Sequence, residues 1–170
     1  MDMSEKNNVE KNSAFSELQS GEKMSIDSNT NVLLERINPE AYDISYTCLL
    51  IPSLPFHQLK GDLAELLPKW LQEICASHNW QIEFITVNPD YFQWGLRVIP
   101  STQTGQFMQK IRLRTSELIL EKFEDIRNRN SDNDFWAKGY LVVLGTRPHP
   151  KEMIEQYIRL SRRLQESSPA

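Results

Sequence analysis

The alternation of apolar and polar residues is clearest at residues 84–100, which read FITVNPDYFQWGLRVIP. Two runs rich in β-branched and aromatic residues flank the segment NPD at 88–90, a strong turn signal because proline fixes φ while Asn and Asp bond back to the local backbone. In the second run, successive side chains point to opposite faces of a strand. One face holds Phe92, Trp94, Leu96 and Val98, and the other holds Tyr91, Gln93, Gly95 and Arg97. The pattern predicts a β-hairpin with an apolar core face and a polar face that is either half-solvated or the location of a site.

Further periodic segments lie on both sides of this hairpin. A β-prone run at 44–51 predicts a first strand, and a 3.6-residue apolar period at 57–78 predicts a helix that Pro68 kinks or divides. The second half of the chain predicts, in order, a helix that follows N-cap candidates at 101–104 and ends near 123, a loop at 127–134, a strand at 139–144 and a helix from about 151 to 165. The order β-α-β-β-α-β followed by a helix predicts an α+β, ferredoxin-like split β-α-β fold, with a four-stranded antiparallel sheet and an extra C-terminal helix.

Residues 1–40 differ in composition from the rest of the 170-residue chain. They are rich in Ser, Asn, Glu and Lys, and they hold eight acidic and four basic side chains, which is the whole of the net charge of -4. This composition predicts a disordered N-terminal tail at 1–40 and a folded domain at 41–167. The folded part carries fifteen charges of each sign and is neutral. Charge balance therefore neither indicates nor excludes a nucleic-acid partner.

Cysteine and histidine spacing indicates no metal motif. Cys48 and Cys75 belong to no CxxC pattern and are expected to be buried, reduced thiols. His57, His78 and His149 are isolated in the sequence, and we expect surface or capping roles for them. No apolar run is long enough to cross a bilayer or to serve as an export signal, so we expect a cytoplasmic protein without membrane contact.

Several segments resemble one family of enzymes. The segment PDYFQWGLRVIP resembles PDHVHLLVxIP of the small single-tyrosine transposases with a paired-histidine (HUH) metal site, the two-hundred type of insertion-sequence enzymes and their REP-associated relatives. Similar blocks are FMQKIRLRTSELIL at 107–120, FWAKGYLVVLG at 135–145, EMIEQYIRLS at 152–161 and, more weakly, YTCLLIPSLPFHQLKG at 46–61. Together they cover residues 44–163 in the family's order. The resemblance implies a homodimer in which the sheets join and the C-terminal helix crosses to the partner.

The resemblance also implies a chemistry, which this sequence departs from. Such enzymes cut single-stranded DNA beside a hairpin and become linked to a 5′-phosphate through a tyrosine, with a divalent cation held by two histidines and a glutamine. Tyr157 matches the nucleophile, although it also belongs to an apolar helical stripe and can simply pack against the sheet. Tyr91 and Gln93 stand in place of the histidines and Ser161 in place of the glutamine. These are weak oxygen donors, so we expect neither metal-dependent cleavage nor a resident cofactor; Mg²⁺ or Mn²⁺ is expected only if the protein is active.

Three functions remain open at this point. The candidate phosphate contacts are Arg97, Lys110, Arg112, Arg114, Arg159, Arg162 and Arg163. They favour a transposase-like protein that binds hairpin or single-stranded DNA without cutting it, with Tyr91 as a hypothetical stacking platform on the polar face. The alternatives are a dimeric protein–protein interaction module on the same scaffold and an active tyrosine transposase with an altered metal site.

Overall fold

Four antiparallel strands form one sheet in the computed structural model, which describes residues 43–168. The strands are β1 (Ile44–Leu50), β2 (Gln81–Asn88), β3 (Tyr91–Val98) and β4 (Leu141–Leu144). Their order in the sheet is β2-β3-β1-β4, so β3 lies between β1 and β2. This is the split β-α-β arrangement, and the predicted fold class is confirmed. The predicted tail at 1–40 and its boundary with the domain lie outside the described residues.

The helices agree with the prediction in order but not in every boundary. They are α1 (Asp62–Ser77), α2 (Thr104–Lys122), α3 (Glu124–Arg129) and α4 (Lys151–Ser167). Helix α1 begins five residues later than predicted, after Gly61 at a φ of 59°. It continues through Pro68 as one helix, because its buried face of Leu63, Leu67 and Leu71 outweighs the one backbone hydrogen bond that proline removes.

Two predictions for the second half of the chain were wrong in detail. Helix α3 occupies the start of the predicted loop at 127–134, with acidic residues in its first turn and Arg127 and Arg129 in its last, an order that complements the helix dipole. Strand β4 begins at Leu141 rather than at residue 139, where Gly139 has a φ of 88° that does not fit a strand.

The hairpin turn is the one that the sequence predicts. Strand β2 ends at Asn88 and β3 begins at Tyr91, and the Asn88 side-chain oxygen accepts a hydrogen bond from the Asp90 backbone N–H at 3.2 Å. Helices α1 and α2 cover the apolar face of the sheet, where Phe92, Trp94 and Leu96 are fully buried. The core therefore lies between this face and the two helices.

The opposite face of the sheet is covered along part of its length, so the expectation of a half-solvated face is wrong at its centre. The loop 145–150 is bonded to β1, where the Thr47 hydroxyl donates to the backbone oxygen of Arg147 at 2.7 Å. Helix α4 follows and packs on Leu49 and Ile51. Within residues 43–168, no helix is both long and apolar enough to cross a membrane.

Candidate functional site

Gln93 and His149 form a buried polar contact at the centre of the covered face. Gln93 is 2% exposed and His149 is 7% exposed. The Gln93 side-chain oxygen accepts the backbone N–H of His149 at 2.8 Å and lies 2.8 Å from Nδ1 of the same residue. Because a backbone N–H only donates, the Gln93 atom is the oxygen, and Nδ1 must carry the ring hydrogen. The expected surface or capping role of His149 is therefore wrong, since the residue fastens its loop to β3.

The other ring nitrogen of His149 has no such contact. Nε2 is buried and has no hydrogen-bond partner among residues 43–168. Burial lowers the pKa of His149 below its ordinary value, and this effect outweighs the opposing influence of the nearby Thr47 backbone. At neutral pH the ring is therefore uncharged, with its Nε2 lone pair free.

The other two histidines differ from each other. The ring of His78 at the end of α1 lies 2.9 Å from the backbone oxygen of Ile74, which is the capping role that was expected. His57 is buried rather than on the surface, and its ring stacks on Phe135 at 5.6 Å between centroids. Neither ring nitrogen of His57 has a partner within the described range, and burial lowers its pKa.

Tyr91 of β3 and Tyr157 of α4 pack against the same apolar cluster, formed by Leu49, Ile51, Ala137 and Ile154. Tyr91 is half-buried and packs with Leu49 and Ile154 in the same cluster as Tyr157. It is therefore partly covered by this cluster rather than fully presented on an open sheet face.

Tyr157 lies on the side of α4 that packs on the sheet. Its hydroxyl is buried, and the polar groups nearby are those of Ser161, Arg112 and Arg162. A Cβ atom placed on Gly139 would lie 3.9 Å from the hydroxyl oxygen, which is ordinary van der Waals contact. Burial raises the Tyr157 pKa, and Ser161, Arg112 and Arg162 offset only part of that rise. The Tyr157 hydroxyl oxygen has no hydrogen-bond partner among residues 43–168, so the nearby Ser161 hydroxyl does not form a hydrogen bond with it.

The apolar stripe predicted for α4 is only partly buried. Ile154 and Ser161 are buried and Tyr157 and Ile158 are half-buried, whereas Leu160 and Leu164 are 50% and 69% exposed. The helix therefore packs through a narrower face than its sequence indicates.

The residues at the family's metal positions do not fit a divalent cation. The Gln93 oxygen already accepts two hydrogen bonds, Ser161 is 8% exposed, and Tyr91 offers a phenol. His149 adds one imidazole nitrogen but no carboxylate joins it, and no three His, Cys, Asp or Glu side chains in the described part of the chain are placed to hold a metal. Mg²⁺ and Mn²⁺ sites are built mainly from carboxylate or imidazole donors, and this set offers one imidazole and no carboxylate.

Four of the seven candidate phosphate contacts are engaged within the protein. Arg112 bonds Asp134 at 2.7 Å and donates to the backbone oxygen of Trp136. Arg162 donates to the backbone oxygen of Ser53 at 2.9 Å, which ties α4 to the loop after β1. The remaining pairs are Arg97 with Glu83 and Arg114 with Glu117.

The other three cations are exposed. Lys110 lies 5.9 Å from the centre of the Trp80 ring, and Arg159 and Arg163 project from α4. The ion pairs found within residues 43–168 include none of these three. The seven residues belong to three elements, β3, α2 and α4.

Sequence reasoning missed the role of His149. Its partner Gln93 lies 56 positions away, and nothing in the local sequence indicates that the two meet. The only available signal was the Pro148-His149-Pro150 segment directly before α4, which marks a rigid turn.

Comparison with known proteins gives three concordant results. A family model described as transposase IS200 like matches residues 40–161. Over 101 residues the chain is 21% identical to the transposase for insertion sequence element IS200 from Salmonella typhimurium and to that from Salmonella typhi. The match covers 59% of this chain and 66% of each relative, so it falls just short of two thirds of their length.

The structural comparison agrees at the level of fold. A crystal structure of a protein assigned as a transposase from Deinococcus radiodurans R1 superposes with a TM-score of 0.63 at 19% identity. The superposition covers 71% of this chain and 92% of that protein. At this level of identity, the likeness shows a shared fold.

Proposed function

We propose that this chain, which belongs to the IS200-like transposase family, binds hairpin or single-stranded DNA and does not cut it by the metal-dependent route. The observation that carries the proposal is the Gln93–His149 contact. An acceptor that would have to face a cation is instead used by the two N–H groups of His149, at 2.8 Å each. Opening this position to a metal would leave both donors buried and unpaired.

The state of Tyr157 supports the proposed loss of DNA cleavage. A phenol attacks a phosphate as its anion, and burial raises the Tyr157 pKa above its ordinary value. Neighbouring guanidinium groups do not restore it, because Arg112 and Arg162 are occupied by Asp134 and Ser53. The tyrosine is thus held as a packed, neutral side chain.

The three exposed cations support the proposed binding of DNA. If only Lys110, Arg159 and Arg163 contact phosphates, the logarithm of affinity should fall with the logarithm of salt concentration with a slope of about -2, whereas contacts from all seven basic residues would give about -5. The slope measured on a single strand therefore reports how many of the paired arginines leave their partners on binding.

We also propose that the chain forms a homodimer in the cytoplasm. Strand β4 is an edge strand whose Val143 and Leu144 are 40% and 69% exposed, which is an unusual surface for an edge left to solvent. Leu144→Lys is expected to convert a dimer to a monomer in light scattering. Two buried free thiols, Cys48 and Cys75, suit a reducing compartment.

The same edge favours the second candidate function, a protein–protein interaction module. In that case the dimeric scaffold is retained and oligonucleotides do not bind, or bind with no dependence on salt.

The deciding experiment uses labelled single-stranded DNA with a hairpin, with and without Mg²⁺ or Mn²⁺, on native and denaturing gels. A salt-sensitive shift on the native gel alone is expected. Tyr157→Phe is the matched control, because it keeps the ring packing and removes a hydroxyl that has no partner in the described residues. An adduct that survives denaturation in the wild type and is absent from Tyr157→Phe would overturn the loss of cleavage. Absence of any shift would favour the interaction module.

A further inference from the structure

A cavity of about 600 Å³ lies on the polar face of the sheet, beside the loop 145–150. Its walls include Glu83, Phe84 and Thr86 of β2, Arg97 of β3, and Thr146 and Pro148 of the loop. The volume is in the range of small-ligand sites. None of the residues at the family's catalytic or metal positions lines it, so it is separate from the site described above.

An irregularity in β2 brings an aromatic ring into this cavity. The pairing of β2 with β3 shifts between Ile82 and Phe84, so Glu83 is an extra residue in the strand and Phe84 lies opposite Gly95. A Cβ atom on Gly95 would be 2.6 Å from two atoms of the Phe84 ring. The glycine therefore allows the ring to lie against the strand, where it is half-buried and forms part of the cavity wall.

Next to this ring, the Glu83 carboxylate is satisfied on one side only. Its Oε1 atom accepts hydrogen bonds from the Ser45 hydroxyl at 3.0 Å and from Arg97 Nε and Nη2 at 3.1 and 2.9 Å. Its Oε2 atom has no hydrogen-bond partner among residues 43–168. A buried carboxylate oxygen without a donor is costly, so Glu83, a residue of the cavity wall, retains one acceptor that a donor could satisfy.

We infer that the cavity binds one base of single-stranded DNA, with the base stacked on Phe84 and its exocyclic amino group donating to Glu83. Aromatic rings stack with any base, and a carboxylate accepts from the amino group of cytosine or adenine. Thymine presents carbonyl oxygens beside its single N–H, and the carboxylate repels them. Arg97, whose side chain is 44% exposed, is placed to contact the adjoining phosphate.

This inference rests on the proposed DNA binding and adds a base preference to it. The test compares binding of fluorescein-labelled oligodeoxycytidine, oligodeoxyadenosine and oligothymidine of equal length by anisotropy. The wild type is expected to bind the first two more tightly than the third. Phe84→Leu should weaken all three by about 5-fold or more, and Phe84→Tyr should restore them, because stacking on an aromatic ring is lost and then regained.

Glu83→Gln separates base reading from folding. The amide still accepts from Ser45 and Arg97 but can also donate to thymine, so the preference for amino-bearing bases should disappear while the melting temperature stays close to that of the wild type. The matched controls are Phe56→Leu, at an aromatic ring that is 59% exposed and outside the cavity, and Glu65→Gln, at an exposed carboxylate of α1 that belongs to none of the ion pairs found within residues 43–168. Neither should change affinity by more than about 2-fold.

A spectroscopic measurement adds a readout that a purely structural role would not change. An oligonucleotide carrying 2-aminopurine should lose fluorescence on binding to the wild type and to Phe84→Tyr, and lose less on binding to folded Phe84→Leu. If the wild type binds none of the oligonucleotides, the proposed function itself fails. If it binds them and the Phe84 and Glu83 variants behave as their controls do, only the base site is overturned.

Discussion

Replacing Gln93 with alanine should release the loop that carries His149. The change removes one acceptor from two donors, the backbone N–H and the Nδ1–H of His149, both at 2.8 Å and both in a buried position. An unpaired buried donor costs about 1–3 kcal/mol. Moving the ring hydrogen to Nε2 brings no relief, because Nε2 is also buried without a partner among residues 43–168, and the backbone N–H has no alternative acceptor. We therefore expect a loss of about 2–4 kcal/mol in the free energy of unfolding, a large part of the about 5–15 kcal/mol typical of a domain.

The assay is urea unfolding followed by circular dichroism, together with amide hydrogen exchange at His149. The His149 amide should exchange at least about 10-fold faster in Gln93→Ala than in the wild type, in line with a loss of about 1.4 kcal/mol or more in local stability. Gln81→Ala, an exposed glutamine on the neighbouring strand, should change stability by no more than about 0.5 kcal/mol. Gln93→Glu keeps an acceptor and should lose less than the alanine variant. A loss below about 0.5 kcal/mol with an unchanged His149 exchange rate would refute the reasoning.

Three further predictions follow from buried groups. Burial lowers the folded-state pKa values of His57 and His149 below 6.5, so the unfolded state takes up protons first as the pH falls. The free energy of unfolding should therefore be full above about pH 6.5 and decline below it. In urea titrations at several pH values, His57→Phe should reduce this decline. Gly95→Ala should cost about 1–3 kcal/mol in thermal unfolding, because its Cβ would lie 2.6 Å from the Phe84 ring. Burial raises the pKa of both thiols, that of Cys75 to about 12, so alkylation at about pH 8 should require unfolding, as mass spectrometry can show.

Each of the three has a clear contrary result. A flat pH profile between about pH 7 and pH 5 would mean that the buried histidines are compensated on protonation. Wild-type stability in Gly95→Ala would mean that the Phe84 ring moves aside without cost. Rapid alkylation of Cys48 in the folded protein would contradict its complete burial.

Local pattern determined much of the fold. The alternation along β3 predicted which side chains enter the core, and Phe92, Trp94 and Leu96 are fully buried. The turn residues at 88–90 predicted the hairpin, and the order of elements predicted the split β-α-β topology. These features depend on periods of two or about 3.6 residues and on turn chemistry, which are properties of neighbouring residues. The family resemblance also belongs to this level, because it depends on short blocks of sequence.

The same patterns were less reliable where packing decides the outcome. The helical period at 57–78 did not show that α1 begins only at Asp62, and the apolar stripe of α4 did not show that Leu160 and Leu164 remain exposed. Proline in α1 was expected either to kink the helix or to divide it in two, and burial of one face kept a single continuous helix, so the division did not occur. In each case a contact outside the element overrode the local preference.

The candidate site was the part that only the tertiary structure decided. The sequence could name Gln93 as a poor metal ligand, but not that His149 occupies its oxygen. It could name Arg97 and Arg112 as cations, but not that Glu83 and Asp134 pair with them. Whether a polar group is free to bind a ligand depends on partners that lie 14 to 56 positions away in the chain, and these are brought together only when the sheet, the loop and α4 pack. Periodicity carries no information about such pairs, because it records the environment of a residue and not the identity of its neighbours.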